Sequence, residues 1–390
     1  MKDKMGDAMY KIHCLNSISK VGLKTLPENY PLTDQIDGAT AILVRSAVMH
    51  ELELPKSVKV VARAGAGVNN IPLDQYAKKG IVVFNTPGAN ANAVKELTLA
   101  GMLLASRDIV GGISWVKDHQ EDPEIAKSVE KAKAQFGGTE IKGKTIGIIG
   151  LGAIGMELAK SCVALGMKVV GTKRNLSTID RLEMPENMIL VQSKDELYHQ
   201  SDFISLNVPL SSDTKHLLNE QAFKHMKDGV IILNFARDAL VDDDALKNAI
   251  ASNKVRRYVT DFPNEKTAQM GGVIAIPHLG ASTEEAEDNC AVMAINQTMD
   301  YIENGNITHS VNFPDATLGK KKGFRITCLC DKSIDSMKII EKINHLKIKH
   351  SVIESNANYK TMIYETEKEV DEKLLNQLTE VSGIIHMHQC

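Results

Sequence analysis

Short apolar runs alternate with segments of helical apolar spacing along most of the chain. In the first ninety residues these runs are rich in β-branched residues, and turn residues separate them. They are residues 11–15, 41–44, 58–62 and 81–85. Alternating strands and helices are typical of a parallel α/β architecture. The pattern predicts a small open parallel sheet here, a flavodoxin-like domain.

A second series of apolar runs begins at residue 145. Its predicted strands are residues 145–149, 168–170, 188–191, 203–207, 230–234, 258–261 and 273–276. This number of strands fits a complete Rossmann-type domain. Long helical patterns over 92–117 and 282–304 bracket the series, and a polar, helix-prone stretch covers 121–135. We therefore expect a Rossmann domain (93–287) inserted into the first domain (1–92 and 288–314), with ligands in the cleft between them.

The last seventy residues repeat the strand–helix alternation in a different order. After a linker over 314–323, the predicted strands are 325–329, 349–354, 361–366 and 383–388, and the predicted helices are 335–346 and 371–381. A β-α-β-β-α-β order is that of a ferredoxin-like domain, which we place at residues 323–390.

A glycine motif follows the strand predicted at 145–149. The residues Gly150, Gly152 and Gly155 form a GxGxxG pattern that leads directly into a helical segment. A strand, this turn and a helix together bind the pyrophosphate of a dinucleotide, since the glycines let the backbone approach and the helix N-terminus faces the anion. The alternative is a glycine-rich turn with a purely structural role.

Composition narrows the classes of partner. The formal net charge is −3, which favours neither nucleic acid nor an anionic membrane. No apolar run has the length of a membrane span, and residues 1–10 lack the apolar core of a secretory signal. The six cysteines show no metal-ligand spacing. We expect reduced thiols, no metal and a cytoplasmic protein.

Polar residues follow three of the predicted strands. Arg237 follows the strand predicted at 230–234. Asp261 ends the strand predicted at 258–261, and Glu265 lies shortly after it. His278 follows the strand predicted at 273–276. In an open α/β sheet the ligand crevice lies at the carboxyl ends of the strands. Reduction of a 2-oxo acid needs a cation for the carboxylate and a general acid near neutral pH, and arginine and histidine supply these. Alone, each residue would more often be structural or a surface group, but their order and position favour catalysis.

A second glycine-rich loop ends a strand of the first domain. It contains Arg63, Gly65, Ala66 and Gly67, and its N–H groups suit a substrate anion. The alternative is a tight turn that requires glycine. Arg45 follows the strand at 41–44, so two cations are expected near the far end of the substrate, which suggests an additional anion such as phosphate.

These stretches together resemble the D-2-hydroxyacid dehydrogenase family. The matching segments are residues 44–46, 63–70, 84–90, 150–155, 225–229, 234–237 and 277–283. The resemblance implies that Arg237 binds the 2-oxo acid, His278 is the acid–base, Glu265 is its partner, and Asp261 contacts the nicotinamide side of an NAD cofactor. The cofactor-binding residues it implies are Gly150, Gly152, Ala153, Ile154, Gly155, Lys173, Arg174, Val208, Phe235, Ala236, Asp261, Gly280 and Ala281. The implied substrate-binding residues are Arg45, Arg63, Gly65, Ala66 and Gly67.

The activity implied is oxidation of 3-phospho-D-glycerate to 3-phosphohydroxypyruvate, the first step of serine synthesis. The alternatives are a glyoxylate/hydroxypyruvate reductase or another 2-hydroxyacid dehydrogenase, and an NAD(H)-sensing protein similar to transcriptional corepressors. The C-terminal segment resembles the ACT regulatory domain. By the same analogy we expect a homodimer or homotetramer.

The chain departs from the family pattern at four places. Lys173 and Arg174 stand where NAD-specific members usually have aspartate, which makes NADP plausible. Asp238 stands where glycine usually follows the arginine, and it either weakens substrate binding or points outward. The segment from Asp261 to Glu265 is one residue short, which leaves the register of Glu265 open. The turn over 331–335 lacks the glycine of serine-binding ACT domains, so serine feedback is not expected.

Overall fold

The computed structural model describes residues 9–179 and 184–390. Helices and strands alternate along these residues, so the protein belongs to the α/β class. The strands are β1 (Ile12–Cys14), β2 (Leu32–Thr33), β3 (Ala41–Val44), β4 (Val60–Arg63), β5 (Val82–Phe84), β6 (Thr145–Ile149), β7 (Lys168–Thr172), β8 (Ile189–Leu190), β9 (Phe203–Leu206), β10 (Val230–Asn234), β11 (Val255–Thr260), β12 (Val273–Ala275), β13 (Phe324–Asp331), β14 (Ile348–Ser355), β15 (Tyr359–Thr366) and β16 (Ile384–Gln389). The α-helices are α1 (Lys20–Leu23), α2 (Leu73–Lys78), α3 (Ala91–Ser106), α4 (Ile109–Asp118), α5 (Ile125–Ala132), α6 (Ala153–Ala164), α7 (Lys194–Gln200), α8 (Glu220–His225), α9 (Asp243–Ala251), α10 (Glu284–Asn304), α11 (Ser336–Ile343) and α12 (Glu372–Thr379). Contacts group these elements into two compact units, one made of the chain up to Asn90 with Glu284–Cys390, and the other of Ala91–Thr283.

The first unit contains a parallel sheet in the order β2-β1-β3-β4-β5. This is the flavodoxin-like strand order, as predicted. The strands β3, β4 and β5 are buried on both faces because apolar, mostly β-branched residues fill them, and α10 packs against β4. The prediction omitted β2, since two residues with one apolar side chain leave no detectable pattern.

The second unit is a seven-stranded parallel sheet in the order β12-β11-β10-β9-β6-β7-β8. Its order reverses between β6 and β9, which is the switch point where doubly wound sheets bind dinucleotides. The predicted Rossmann fold is therefore confirmed. The helix bounds differ, however, since the pattern over 92–117 forms α3 and α4, which meet at 67°. Asp108 causes the break by accepting a hydrogen bond from Gly111 N, which starts a new helix.

The polar stretch after α4 is largely helical, as its composition indicates. It forms α5 and a 3₁₀ turn over Lys133–Phe136. Among the described helices, none is by itself long and apolar enough to cross a membrane. Only α3 and α4 together, despite their bend, pass such a test of length and composition.

The C-terminal strands form an antiparallel sheet in the order β14-β15-β13-β16, with α11 and α12. This is the predicted ferredoxin-like arrangement. The sheet belongs to the first compact unit and contacts the end of α10. Thr327 Oγ1 donates to Gly305 O at 2.8 Å, and His388 Nε2 lies 3.0 Å from Ile302 O. The three-domain boundaries given above stay a prediction.

Candidate active site

The turn between β6 and α6 requires glycine at two of its three motif positions. Gly150 has a φ of +99°, and a Cβ there would lie 2.4 Å from Asn207 O. A Cβ at Gly155 would lie 2.0 Å from Gly150 O. At Gly152, by contrast, a Cβ would meet no atom within 4 Å. Gly152 is the N-cap of α6, so its missing side chain leaves the helix N-terminus open to an approaching anion.

Asp261 follows the end of β11 and has one unsatisfied oxygen. Its Oδ2 accepts a hydrogen bond from Gly280 N at 2.9 Å, whereas Oδ1 is buried and has no partner among the described residues. Burial raises the pKa of Asp261, although the Gly280 N–H and the nearby charges of His278 and Arg237 lower it. A buried acceptor of this kind is suited to an amide N–H.

These features fit a bound NAD. The open N-terminus of α6 suits a pyrophosphate, and the free oxygen of Asp261 suits the carboxamide of nicotinamide. Val208 lies against the glycine turn, where its Cγ1 would be 2.8 Å from a Cβ at Gly150. Phe235 is buried and Ala236 is half-buried directly after β10. The remaining predicted cofactor residues lie on α6 or next to Gly280 and are Ala153, Ile154 and Ala281.

Arg237 lies in a loop that Asn234 holds. The fully buried Asn234 accepts hydrogen bonds from the N–H groups of Ala236 (3.2 Å) and Arg237 (3.3 Å). Its Nδ2 donates to Arg237 O at 2.8 Å and to the Tyr258 hydroxyl at 2.9 Å. Asp238 is exposed and makes no ion pair with Arg237 in the described structure, so of the two expectations for this carboxylate the structure favours the outward one.

The aromatic ring of Phe262 contacts two of the predicted catalytic residues, Arg237 and His278. The Arg237 guanidinium carbon lies 5.2 Å from the centre of the ring. The His278 ring lies 4.3 Å from it, centroid to centroid, at an angle of 46°. Arg237, Asp261 and His278 are thus brought together at the carboxyl ends of neighbouring strands.

Glu265 is not brought to His278. No hydrogen bond or ion pair joins the two among the described residues, and Glu265 is exposed. The loop that carries it is tied to α9, because Asn264 Nδ2 donates to Asp243 at 2.9 Å and Lys266 Nζ pairs with Asp244 at 2.9 Å. Glu265 instead lines an open cleft beside α9, and its predicted partnership with His278 stays a prediction.

The basic pair after β7 is largely solvent-exposed. Arg174 Nη2 pairs with Asp213 at 3.2 Å, and both side chains are more than two-thirds exposed. Lys173 is half-buried and has no ion-pair partner within the described ranges. Of this pair, Lys173 is therefore the residue whose charge has no counter-charge among the described residues.

In the first unit the predicted substrate residues lie at the ends of β3 and β4. Arg63 Nε donates to Arg45 O at 3.0 Å. Arg45 Nη2 forms an ion pair with Glu287 on α10 at 2.6 Å, with both side chains half-exposed. Gly65 has a φ of +154°, and a Cβ there would lie 2.6 Å from the Arg63 guanidinium. Of the other loop residues, Ala66 O accepts a hydrogen bond from Asn85 at 2.6 Å, and Gly67 is half-buried.

The sequence analysis assigned no role to Phe262 or Glu287, and it did not predict that Asn234 fixes the loop of Arg237. Phe262 stands directly after a buried strand-end carboxylate, and that position is the available signal. Asn234 is the last residue of a buried apolar strand, where a polar side chain requires partners. Glu287 carries no such signal, because it lies more than 200 residues from Arg45 in the sequence.

The fold and this site define a dinucleotide-binding protein of the dehydrogenase type. Residues 99–280 match the family described as "D-isomer specific 2-hydroxyacid dehydrogenase, NAD binding domain". The hydroxypyruvate reductase of Thermotoga maritima is 34% identical over 304 residues, which cover 72% of this chain and 94% of that protein. The chain therefore belongs to the D-2-hydroxyacid dehydrogenase family, and the predicted family and NAD-binding domain are confirmed.

Other relatives are D-3-phosphoglycerate dehydrogenases. That of Methanocaldococcus jannaschii is 32% identical over 81% of this chain and 60% of its own length. That of Mycobacterium tuberculosis (strain ATCC 25618 / H37Rv) is 36% identical over 67% of this chain and 49% of its own length. The chain thus spans about half to three-fifths of the length of these relatives.

Solved structures agree with this fold. A glyoxylate reductase from Paecilomyes thermophila superimposes with a TM-score of 0.62 at 28% identity, over 78% of this chain and 98% of that one. An NAD⁺-bound 3-phosphoglycerate dehydrogenase from Entamoeba histolytica gives a TM-score of 0.60 at 26% identity, over 78% of this chain and 99% of that one.

Proposed function

We propose that the protein is a D-3-phosphoglycerate dehydrogenase that oxidises 3-phospho-D-glycerate to 3-phosphohydroxypyruvate in L-serine biosynthesis. The observation that carries this proposal is the pair of arginines, Arg45 and Arg63, beside the Gly65 turn at the ends of adjacent strands. Two cations at one loop suit a phosphate better than a neutral hydroxymethyl group. Relatives that bear this name over most of the chain support the assignment.

In this reaction Arg237 binds the substrate carboxylate with its planar guanidinium. His278 removes the hydroxyl proton during oxidation and returns it during reduction. A bound nicotinamide supplies the hydride acceptor. Asp261 Oδ1 would accept a hydrogen bond from the carboxamide of the nicotinamide, and the N-terminus of α6 would hold the pyrophosphate of the dinucleotide.

Initial rates of 3-phosphohydroxypyruvate and hydroxypyruvate reduction test the proposal. We expect a much higher kcat/KM for the phosphorylated acid in the wild-type protein. Equal or better turnover of hydroxypyruvate would reject the assignment.

The second candidate is a hydroxypyruvate or glyoxylate reductase. Two observations favour it. The match covers 94% of the length of the Thermotoga maritima hydroxypyruvate reductase, and the ion pair with Glu287 partly neutralises Arg45. The same pair of substrates separates the candidates.

We also propose that Lys173 permits use of NADP(H) beside NAD(H). Its charge lies where a 2′-phosphate is bound in this fold, whereas Asp213 already neutralises Arg174. A comparison of kcat/KM for NADH and NADPH tests this, and a hundredfold preference for NADH would reject it.

We further propose that the protein forms a homodimer or homotetramer through α4. This helix buries none of its residues and leaves Ile109, Val110, Ile113 and Val116 exposed. Apolar patches of this kind on a helix mark an interface. Light scattering of the wild type and of Ile113→Glu tests it, since the variant should dissociate, whereas a monomeric wild type would reject it.

A further inference from the structure

The ring of Phe262 lies next to the side chains of Arg237 and His278, which bind the substrate and transfer the proton in the proposed reaction. It contacts the Arg237 guanidinium on one side, at 5.2 Å, and the His278 imidazole at 4.3 Å. A guanidinium within about 6 Å of a ring centroid is attracted by the ring electrons, and tilted ring pairs at 4.5–7 Å or slightly closer attract each other. Both attractions depend on the ring and not only on apolar volume.

The backbone fixes where this ring lies. Asp261 is anchored through Gly280 N, and Phe262 N donates to Thr260 Oγ1 at 3.0 Å. Beyond Pro263, Asn264 ties the chain to α9. Two residues, Phe262 and Pro263, therefore lie between the anchored carboxylate and the turn toward α9, and the Phe262 side chain lies beside His278.

The same tie explains why the Glu265 carboxylate does not reach the imidazole. Asn264 also accepts hydrogen bonds from the N–H groups of Lys266 (3.0 Å) and Thr267 (2.9 Å), which closes a short turn. Glu265 lies within that turn and faces solvent. The loop is one residue short of the family spacing, and in this chain the ring, not the carboxylate, contacts His278.

We propose that Phe262 is a positioning residue that holds Arg237 and His278 in the orientations required for catalysis. The inference rests on the proposed dehydrogenase function. Loss of the ring frees the imidazole and the guanidinium to adopt other rotamers, and small displacements at a reacting centre reduce turnover strongly. Cofactor binding through the α6 N-terminus does not depend on the ring.

The kinetic test compares Phe262→Leu, which keeps apolar volume, with Phe262→Tyr, which keeps the ring. Phe324→Leu is the matched control, because this exposed phenylalanine begins β13 in the other unit. We expect kcat for 2-oxo-acid reduction to fall roughly 10- to 100-fold in Phe262→Leu, with NADH affinity and the melting temperature unchanged. Phe262→Tyr should restore kcat to within about threefold of the wild type. Wild-type kcat in Phe262→Leu, or equal losses in both variants, would overturn the proposal in favour of simple packing.

A second measurement does not require a substrate. Proteins labelled at the histidine Cε1 carbon give one imidazole signal per histidine, and His278→Gln identifies the signal of residue 278. Loss of the ring current shifts this signal in Phe262→Leu whatever the orientation of the imidazole, so the signal width is the readout. We expect the signal to broaden in Phe262→Leu and to stay sharp in Phe262→Tyr. An unchanged width in Phe262→Leu would overturn the proposal whatever the activity. A wild type that reduces neither acid would instead reject the proposed function, and the histidine signal would still decide the positioning role.

Discussion

Removal of the buried Arg325 charge should strongly destabilise the first unit. Arg325 is 1% exposed and its Nη2 lies 2.5 Å from Glu365 Oε2, while Nη1 donates to Asn304 O (2.9 Å) and Gly319 O (2.6 Å). In Arg325→Met the carboxylate of Glu365 stays buried and, among the described residues, keeps the Lys322 N–H as its hydrogen-bond donor. A buried charge that loses its partner costs about 3–5 kcal/mol.

Thermal unfolding measures this effect. At roughly 2–4 °C per kcal/mol for a unit of this size, the melting temperature should fall by roughly 10 °C. Arg325→Met with Glu365→Leu should recover most of the loss, since an apolar pair replaces a buried ion pair without large cost. Lys127→Met, which breaks the exposed pair with Glu124, is the control and should change stability by less than about 1 kcal/mol.

The contribution of the Arg325–Glu365 pair to the free energy of unfolding depends on pH in a defined direction. Burial raises the pKa of Glu365, but Arg325 and the Lys322 N–H lower it further, so that the folded pKa is below the ordinary value. The pair therefore contributes its full stability above about pH 4.3, and this contribution is lost as pH falls through the folded pKa. An Arg325→Met variant as stable as the wild type at pH 7 would refute this reasoning.

Five other changes test the site. Arg237→Ala should lower kcat/KM for the 2-oxo acid roughly a thousandfold while NADH affinity is kept, and retained turnover would contradict its role. Gly152→Ala should weaken NADH binding without changing the melting temperature, whereas Gly155→Ala should destabilise the protein because its Cβ would meet Gly150 O at 2.0 Å. Lys173→Asp should raise the NADH/NADPH ratio of kcat/KM at least tenfold, and an unchanged ratio would remove this residue from the cofactor site. Glu287→Gln should lower KM for 3-phosphohydroxypyruvate about fivefold and leave hydroxypyruvate unaffected, since a carboxylate near a phosphate repels it by about 1 kcal/mol; equal effects on both substrates would contradict this.

The sequence was sufficient for the strands whose burial is complete. β6 and β10 have the predicted bounds because each is a short, mostly apolar and almost wholly buried run that begins after a glycine-containing turn. The glycine turn was predictable because its motif is local in sequence: Gly150 has a φ of +99°, and a Cβ at Gly155 would lie 2.0 Å from Gly150 O. The break before α4 was not predicted, because apolar spacing continues through it and a single capping contact of Asp108 decides it.

The site was predictable only where strand order fixes it. Arg237, Asp261 and His278 follow adjacent parallel strands, so their proximity follows from topology. The position of Glu265 does not follow from topology. It depends on contacts of Asn264 and Lys266 with α9, and no local sequence pattern predicts these contacts.

The C-terminal sheet is built into the first unit by contacts that do not respond to ordinary changes of pH. Burial, together with the adjacent Lys59, lowers the pKa of His388 to about 3, so the ring stays neutral and donates from Nε2 to Ile302 O. Ile302 lies near the end of α10, and Glu287, the partner of Arg45, lies in its first turn. Fifteen residues of helix separate the two contacts, about 22 Å at 1.5 Å per residue. Because a helix is stiff over this length, a displacement of the C-terminal sheet that keeps the contact at Ile302 would move α10 and, within this unit, the Glu287–Arg45 pair with it.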